Sequence, residues 1–424
     1  MLILGGGLMG LAIAHELASR GRSVTVLSRR RSEAAGFVAA GMLAPHAEGL
    51  TGPLLDLGQR SLERIPAWVA RIEADSGLAC GLRPTGIVVP FRSPAERDAY
   101  PTAAFGQPLD RRGLEREVPG IGAAWQAGLL FAQDGQIDNR RRLMRALERA
   151  CVGLGVAFQE GAEVLALRRD GAGELSGVDL RTAEGEQQRL ACRQAVLACG
   201  AWSAQLLPEL PLFPVKGQML SLQGPRQALG RVVFGPGTYL VPREDGLLVV
   251  GATSEPQAGF GEGLTPDGQR TLQAGIAALV PAASGWPPME RWWGFRPCTP
   301  DEGPLLGASS VPGLWLATGH HRNGVLLAAI TAELLGGCLA QQGGPQAAAA
   351  IPGNATASGA EGLSPAERTR FLEAFRWDRF QPGDPGSQAP DGQPGEPAQL
   401  PAAWGGAAAG AGKAAWAAAP PGSA

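Results

Sequence analysis

Leu2-Ile3-Leu4-Gly5-Gly6-Gly7-Leu8-Met9-Gly10 decides the fold. The apolar run predicts a short buried strand. Gly5-x-Gly7-x-x-Gly10 then predicts a turn that opens a helix through Leu11, Ala14, His15 and Ala18 to Gly21, and Val24-Thr25-Val26-Leu27 predicts the next strand. Glycines at this spacing permit a tight turn, close backbone approach to a pyrophosphate, and close helix–sheet packing. The free amides at the helix start complement the phosphate charge. The unit therefore reads as a dinucleotide holder, with Gly5, Gly7, Leu8, Met9 and Gly10 against the ligand.

One part of that pattern is absent. The second strand should end in Asp or Glu to take the ribose hydroxyls. It ends in Ser28, followed by Arg29-Arg30-Arg31. A small polar residue followed by arginines also suits a 2′-phosphate, so an NADP-dependent oxidoreductase competes at this point. The plainer alternative is a solvated basic loop.

Composition limits the remaining choices. A chain of 424 residues exceeds one ordinary core and suggests two domains plus extras. A net charge of −2 gives no reason to expect nucleic acid or an anionic membrane as partner. The six cysteines (Cys80, Cys151, Cys192, Cys199, Cys298, Cys338) form no CxxC pair and no metal-ligand cluster, so no metal site and a cytoplasmic location are expected. The apolar start lacks a basic leader and is broken by His15-Glu16, so it reads as fold and not as a secretory signal. No apolar stretch is long enough to span a bilayer.

Along the chain, helical and strand patterns alternate, give way to hairpins, and return. Ser61 to Ser76 predicts a helix with Leu62, Ile65, Val69 and Ile72 on one face. Gly86 to Pro90 predicts a strand, and Asp138-Asn139 a helix cap before Leu143, Leu147, Ala150, Cys151 and Leu154. Val156 to Phe158 predicts a strand, and Glu163 to Arg168 with Gly177 to Arg181 a meander about Asp170-Gly171. Gln194 to Gly200 predicts a buried strand. Thr238 to Arg243 and Leu247 to Gly251 predict a hairpin about Glu244-Asp245-Gly246. Pieces that would complete the first sheet recur near Val156, Val196 and Trp315. The expected class is α/β: a discontinuous Rossmann-like dinucleotide-binding domain (1–47, 137–207 and 303–343), an FAD-binding domain by the resemblance given below, with an inserted antiparallel-sheet substrate domain (48–136 and 208–302). Residues 344–424 read as a low-complexity, disordered tail with one helix near 364–380.

The flavin assignment rests on separated motifs taken together: Gly5 to Gly10; Ala39-Ala40-Gly41-Met42-Leu43-Ala44-Pro45; Ala198-Cys199-Gly200-Ala201-Trp202-Ser203; and Gly319-His320-His321-Arg322-Asn323-Gly324-Val325-Leu326-Leu327. Pro214 to Gln218, Tyr239 to Arg243, and Trp293-Gly294-Phe295-Arg296-Pro297 add to them. In order and spacing the chain resembles the D-amino-acid oxidase and glycine oxidase family of FAD enzymes, and within it the branch serving thiamine biosynthesis. The resemblance covers roughly residues 1 to 340 and resumes at Phe371 to Asp378.

The resemblance implies FAD as cofactor, held by Gly5, Gly7, Leu8, Met9, Gly10, Ser28, Arg29, Ala40, Gly41, Met42, Val164, Gly200, His320, Asn323, Gly324, Val325 and Leu326. It implies Arg322 and Arg296 as bidentate partners of a substrate carboxylate and Tyr239 as a phenolic donor to it. It implies oxidative deamination of glycine, with sarcosine and small D-amino acids as further substrates, to the imine or 2-oxo acid. Dioxygen is consumed, hydrogen peroxide is released, and the imine supplies the thiamine thiazole. Expected partners are the amino acid, dioxygen, a thiazole-synthesis enzyme and a second copy of the chain. Two features depart from the family: Ser28 at the ribose position, and His321 where relatives usually carry an aromatic residue.

Each residue also has a plainer reading. Arg322 suits a surface or a helix end, Arg296 a stack on the neighbouring tryptophans, and Tyr239 an ordinary strand position. Lys216 suits either an approach to the flavin that aids oxygen or a solvated strand position. His320-His321 without a nearby carboxylate makes a poor zinc site, and no serine sits in a nucleophile elbow. A flavin-bearing assembly or nucleic-acid-modification protein without free turnover is the alternative from another class.

Overall fold

The computed structural model describes residues 1–341 and 362–381. The expected low-complexity stretches between and beyond these lie outside the described residues.

The opening segment forms a strand, Leu2–Leu4, the helix Leu8–Ser19 and a second strand, Thr25–Ser28. The strands run parallel with Leu2 opposite Thr25. Two glycines show why the motif is needed. Gly5 has φ +111°, and a Cβ there would lie 2.4 Å from the Ala198 carbonyl oxygen. A Cβ at Gly10 would lie 1.9 Å from the Gly5 carbonyl oxygen. The helix has Gly7 at its N-cap, with no side chain bonded to its first amides. Leu8, Leu11, Ile13 and Leu17 are buried. Each such side chain contributes about 1.5–3 kcal/mol relative to exposure, which fixes the helix start against the sheet.

That sheet has six strands in the order Leu305–Ala308, Leu314–Thr318, Ala195–Leu197, Leu2–Leu4, Thr25–Ser28, Ala157–Glu160. All neighbours are parallel except the edge strand Leu305–Ala308. Strands distant in sequence thus meet at one centre, as the recurrences near Val156, Val196 and Trp315 predict. The apolar helix Gly324–Gln341 packs on Leu8–Ser19 and on the long helix Gly52–Ser76.

An eight-stranded sheet forms the second layer, ordered Pro288–Cys298, Phe213–Gln223, Leu247–Gly251, Thr238–Pro242, Val232–Gly235, Ile87–Phe91, Ala127–Phe131, Gln107–Asp110. It is antiparallel except where Val232–Gly235 meets Ile87–Phe91. The expected hairpin forms its centre, with Leu240 opposite Val250. The expected meander appears as Glu163–Arg169, Leu175–Arg181 and a third strand, Gln187–Ala191.

Three local expectations need correction. The helix expected from Ser61 begins at Gly52, because Pro53 suits the first helical turn although the apolar pattern is weak there. Asp138 does not cap with its side chain. Its carboxylate pairs with Arg141 at 2.8 Å, and a π turn, Asn139–Leu143, precedes the helix Met144–Gly153. The helix expected near 364–380 stops earlier, at Pro365–Ala374. Ser364 and Glu367 cap its start reciprocally. Beyond it the Phe375 carbonyl accepts from the Leu306 amide at 2.9 Å, so the chain joins the sheet edge instead of continuing the helix.

Candidate active site

A cleft of about 320 Å³ runs along the carboxyl end of the parallel sheet. One end is lined by Ser28 to Arg31 and Glu33, the middle by Gly5 to Met9 and Gly200, and the other end by His320, His321, Arg322, Gly324 and Val325. Uncapped helix amides at one face and a close glycine backbone make its middle a seat for a pyrophosphate. His320 adds a buried ring Nδ1 without a hydrogen-bond partner among the described residues. These features fit a dinucleotide cofactor.

Of the residues expected at the cofactor, Gly5, Gly7, Leu8, Met9, Ser28, Arg29, Val164, Gly200, His320, Gly324 and Val325 line this cleft, and so does Arg322. Gly10, Ala40, Gly41, Met42, Asn323 and Leu326 do not line it. Gly10 packs on Gly5. Gly41 accepts from the Ile137 amide at 2.8 Å, and Met42 pairs with Gln136 across a small sheet. The Asn323 carbonyl accepts from Leu327, and the Leu326 carbonyl accepts from the Ser61 hydroxyl at 2.5 Å.

The arginine run does not form a free phosphate clamp. Arg29 pairs with Glu33 at 2.8 Å and with Glu163 at 3.3 Å, and Arg30 pairs with Glu33 at 2.7 Å. Arg31 pairs with Glu148 and Glu160, each at 2.8 Å. The Arg29 guanidinium also lies 5.3 Å from the Trp202 ring centroid. Glu33 nearby and Glu148, Glu160 and Glu163 from elsewhere in the chain thus neutralise the run, and Glu33 brings a carboxylate to the cleft that Ser28 does not.

Arg296 and Tyr239 sit on the roof sheet. Arg296 lies opposite Val215 and donates to the Thr253 carbonyl at 3.1 Å. Among the described residues no carboxylate lies within 4 Å of it. Its neighbouring tryptophans are engaged otherwise: Arg140 lies 4.5 Å over Trp292, and the Lys216 ammonium lies 5.9 Å from Trp293. Lys216 is buried, which corrects the solvated reading. Tyr239 packs over Gly251, and its hydroxyl lies 3.5 Å from the Met219 sulfur. Burial lowers the Arg296 pKa, Tyr239 opposes that, and the nearby Arg322 charge lowers it further.

Arg322 is placed differently. Its Nε lies 3.4 Å from Glu48 and its Nη2 lies 3.9 Å from Glu302. Burial works against its charge, but Glu48 and Glu302 outweigh that and raise its pKa. Glu302 stays acidic, at about 2, because His321 and Arg322 overcome the burial that would raise it. His321 has φ +44°, and its Nδ1 lies 3.7 Å from Glu302. His320 turns inward, with Nε2 3.1 Å from the Thr331 hydroxyl, and burial lowers its pKa to about 3. The two histidines therefore diverge, and no group of metal ligands forms among the described residues.

The model of the DAO family, FAD dependent oxidoreductase, matches residues 1–337. The chain belongs to this family. Its cofactor is FAD. The chain is 44% identical over 350 residues to the "Bifunctional protein ThiO/ThiG" of Synechocystis, covering 81% of this chain and 52% of that protein. It is 32% identical over 347 residues to the glycine oxidase of Pseudomonas aeruginosa, covering 79% and 93%. The solved glycine oxidase of Geobacillus kaustophilus superposes with a TM-score of 0.72 at 31% identity, covering 79% of this chain and 92% of that one. The chain spans about half the length of the bifunctional relatives it matches. Among the described residues no helix is long and apolar enough to cross a membrane.

Sequence reasoning missed Glu48. It lies just past the Ala39–Pro45 motif, and the buried side chain faces Arg322. The signal available was an acid three residues beyond the end of a wholly apolar motif.

Proposed function

We propose that this chain oxidises glycine, and small relatives such as sarcosine and short D-amino acids, with release of hydrogen peroxide. The observation that carries the reading is the half-buried Arg296, which has no carboxylate within 4 Å among the described residues, beside Tyr239 and between Phe295 and Pro297, which line the dinucleotide cleft. A planar guanidinium binds a carboxylate in two parallel hydrogen bonds, and Tyr239 adds a third donor. That arrangement fixes the α-carbon of an amino acid relative to the cleft. FAD held in the cleft would supply the acceptor for the hydride from that carbon and the route of its electrons to dioxygen. Arg322 raises the local positive potential while remaining engaged with Glu48 and Glu302.

The cofactor would be held by segments 1–47, 137–207 and 303–343, and the substrate roofed by 48–136 and 208–302. Gly5, Gly7, Leu8, Met9 and Gly10 take the pyrophosphate end. Ser28, Arg29 and Val164 take the adenosine end, and Gly200, His320, Gly324 and Val325 the flavin end. Ala40, Gly41, Met42, Asn323 and Leu326 act from behind. The imine product is the form a thiazole-synthesis enzyme would accept, and relatives that are bifunctional proteins support such a partner. No observation favours a nicotinamide enzyme, because the arginines after Ser28 are already paired.

The test is a panel of glycine, sarcosine, D-alanine and D-proline scored by peroxide with purified holoprotein. Glycine-dependent peroxide is expected. A yellow protein inert toward every member would overturn the reading.

A further inference from the structure

The loop carrying Glu48 is held with unusual thoroughness for an irregular segment. The Asp134 carboxylate accepts from the His46 amide at 3.2 Å, the Ala47 amide at 2.8 Å and the His46 ring Nδ1 at 2.6 Å. Tyr100 donates to the Ala47 carbonyl and Thr102 to the His46 carbonyl, each at 2.6 Å. The Glu48 amide donates to the Ala44 carbonyl at 3.0 Å. Every group named is buried. The scaffold leaves the Glu48 side chain 4% exposed, with Oε2 3.4 Å from Arg322 Nε. That oxygen makes no hydrogen bond among the described residues. A buried carboxylate with an unspent acceptor is costly unless its charge does something locally.

Burial raises the Glu48 pKa, and two guanidiniums, Arg322 and Arg296, oppose that rise while acting on each other. Left free, both would recruit anions, and the site would favour a substrate with two carboxylates. Glu302 alone restrains Arg322 weakly, because it lies 3.9 Å away and is shared with His321.

Resting on the glycine-class reading, we propose that Glu48 is a specificity-determining positioning residue: it holds Arg322, leaves Arg296 as the single carboxylate receptor, and so excludes amino acids that carry a second carboxylate. Arg322 opens on the cleft with its side chain 35% exposed, so loss of Glu48 would release it toward bound ligand.

The test uses FAD-loaded protein and two simple anions, acetate and malonate, with binding read by calorimetry and by perturbation of the flavin spectrum. Glu48→Gln should raise the malonate-to-acetate affinity ratio about tenfold or more, the size of one charge-assisted contact. Glu48→Asp, with a shorter reach to Arg322, should give an intermediate ratio. Adding Arg322→Gln to Glu48→Gln should return the ratio to its original value. In turnover, kcat/KM for iminodiacetate relative to glycine should rise with Glu48→Gln, chiefly through KM. A merely structural role predicts that both anions weaken by the same factor, and that result would overturn the proposal. Should Glu48→Gln fail to retain FAD, Glu48→Asp decides: an unchanged ratio overturns the proposal and a raised one supports it. The anion measurements need no turnover. A shifted ratio in a protein inert toward glycine would sink the glycine reading and leave this assignment standing.

Discussion

Arg296 and Arg322 lie close enough for each charge to act on the other, yet their surroundings differ. Arg322 is already paired, whereas Arg296 donates to a carbonyl, lies beside a phenol and has no carboxylate within 4 Å among the described residues. Arg296→Ala should therefore lower kcat/KM for glycine by about two orders of magnitude or more, since a lost charge-assisted pair costs a few kcal/mol. Steady-state kinetics on FAD-saturated protein checks this, and Arg296→Lys should recover only part. His320 offers a separate prediction. Its folded pKa of about 3 lies below the ordinary value of 6.5, so the unfolded chain binds the extra proton first. Stability is then fully present above about 6.5 and falls by about 1.4 kcal/mol per pH unit as pH drops from there toward 3. Urea unfolding of His320→Gln against pH should show a shallower slope over that window. At this scale the sequence was partly legible. Arg296, Arg322 and Tyr239 were marked by motif. Glu48 was not, because its meaning comes from a partner far along the chain. The arginines after Ser28 left a phosphate clamp open as an alternative, because three of their acids, Glu148, Glu160 and Glu163, arrive from other elements.

The helix Leu8–Ser19 and its glycine turn are the elements on which cofactor binding depends. Gly10→Ala forces a methyl into the Gly5 carbonyl, 1.9 Å away, so either the turn opens or the helix shifts off the sheet. The expected outcome is purified protein that has lost its FAD, read from its absorbance, with overall secondary structure retained by circular dichroism. Full retention of FAD by this variant would contradict the assignment of the turn. Elements with strong periodicity or a tight turn were readable from sequence: the opening strand and helix, the central hairpin and the meander. Ends were not. Pro53 started a helix ahead of its apolar stripe, and Asp138 spent its carboxylate on Arg141 instead of capping. In both cases a tertiary partner or a backbone preference overrode the local pattern.

The molecule joins one parallel sheet and one largely antiparallel sheet through repeated crossings of the chain, and the last described helix closes the arrangement at the sheet edge. Phe371 and Phe375 are buried there, and Arg379 pairs with Asp301 at 2.8 Å, one residue from Glu302. Phe375→Ala should destabilise the protein by about 3–5 kcal/mol, measured as a lowered midpoint in denaturant. Much of this architecture was readable because strands returning to one sheet share an apolar signature. Which sheet edge the final helix would close was not, since only the folded edge at Leu306 presents the amide that Phe375 accepts. The account as a whole stands on one chemical claim, that glycine bound at Arg296 gives up a hydride to FAD. Mixing the FAD-loaded protein with glycine in the absence of oxygen tests it most directly. The account predicts that the yellow flavin band bleaches, and that admitting oxygen restores it with one peroxide per flavin. A flavin band unchanged by saturating glycine would contradict it.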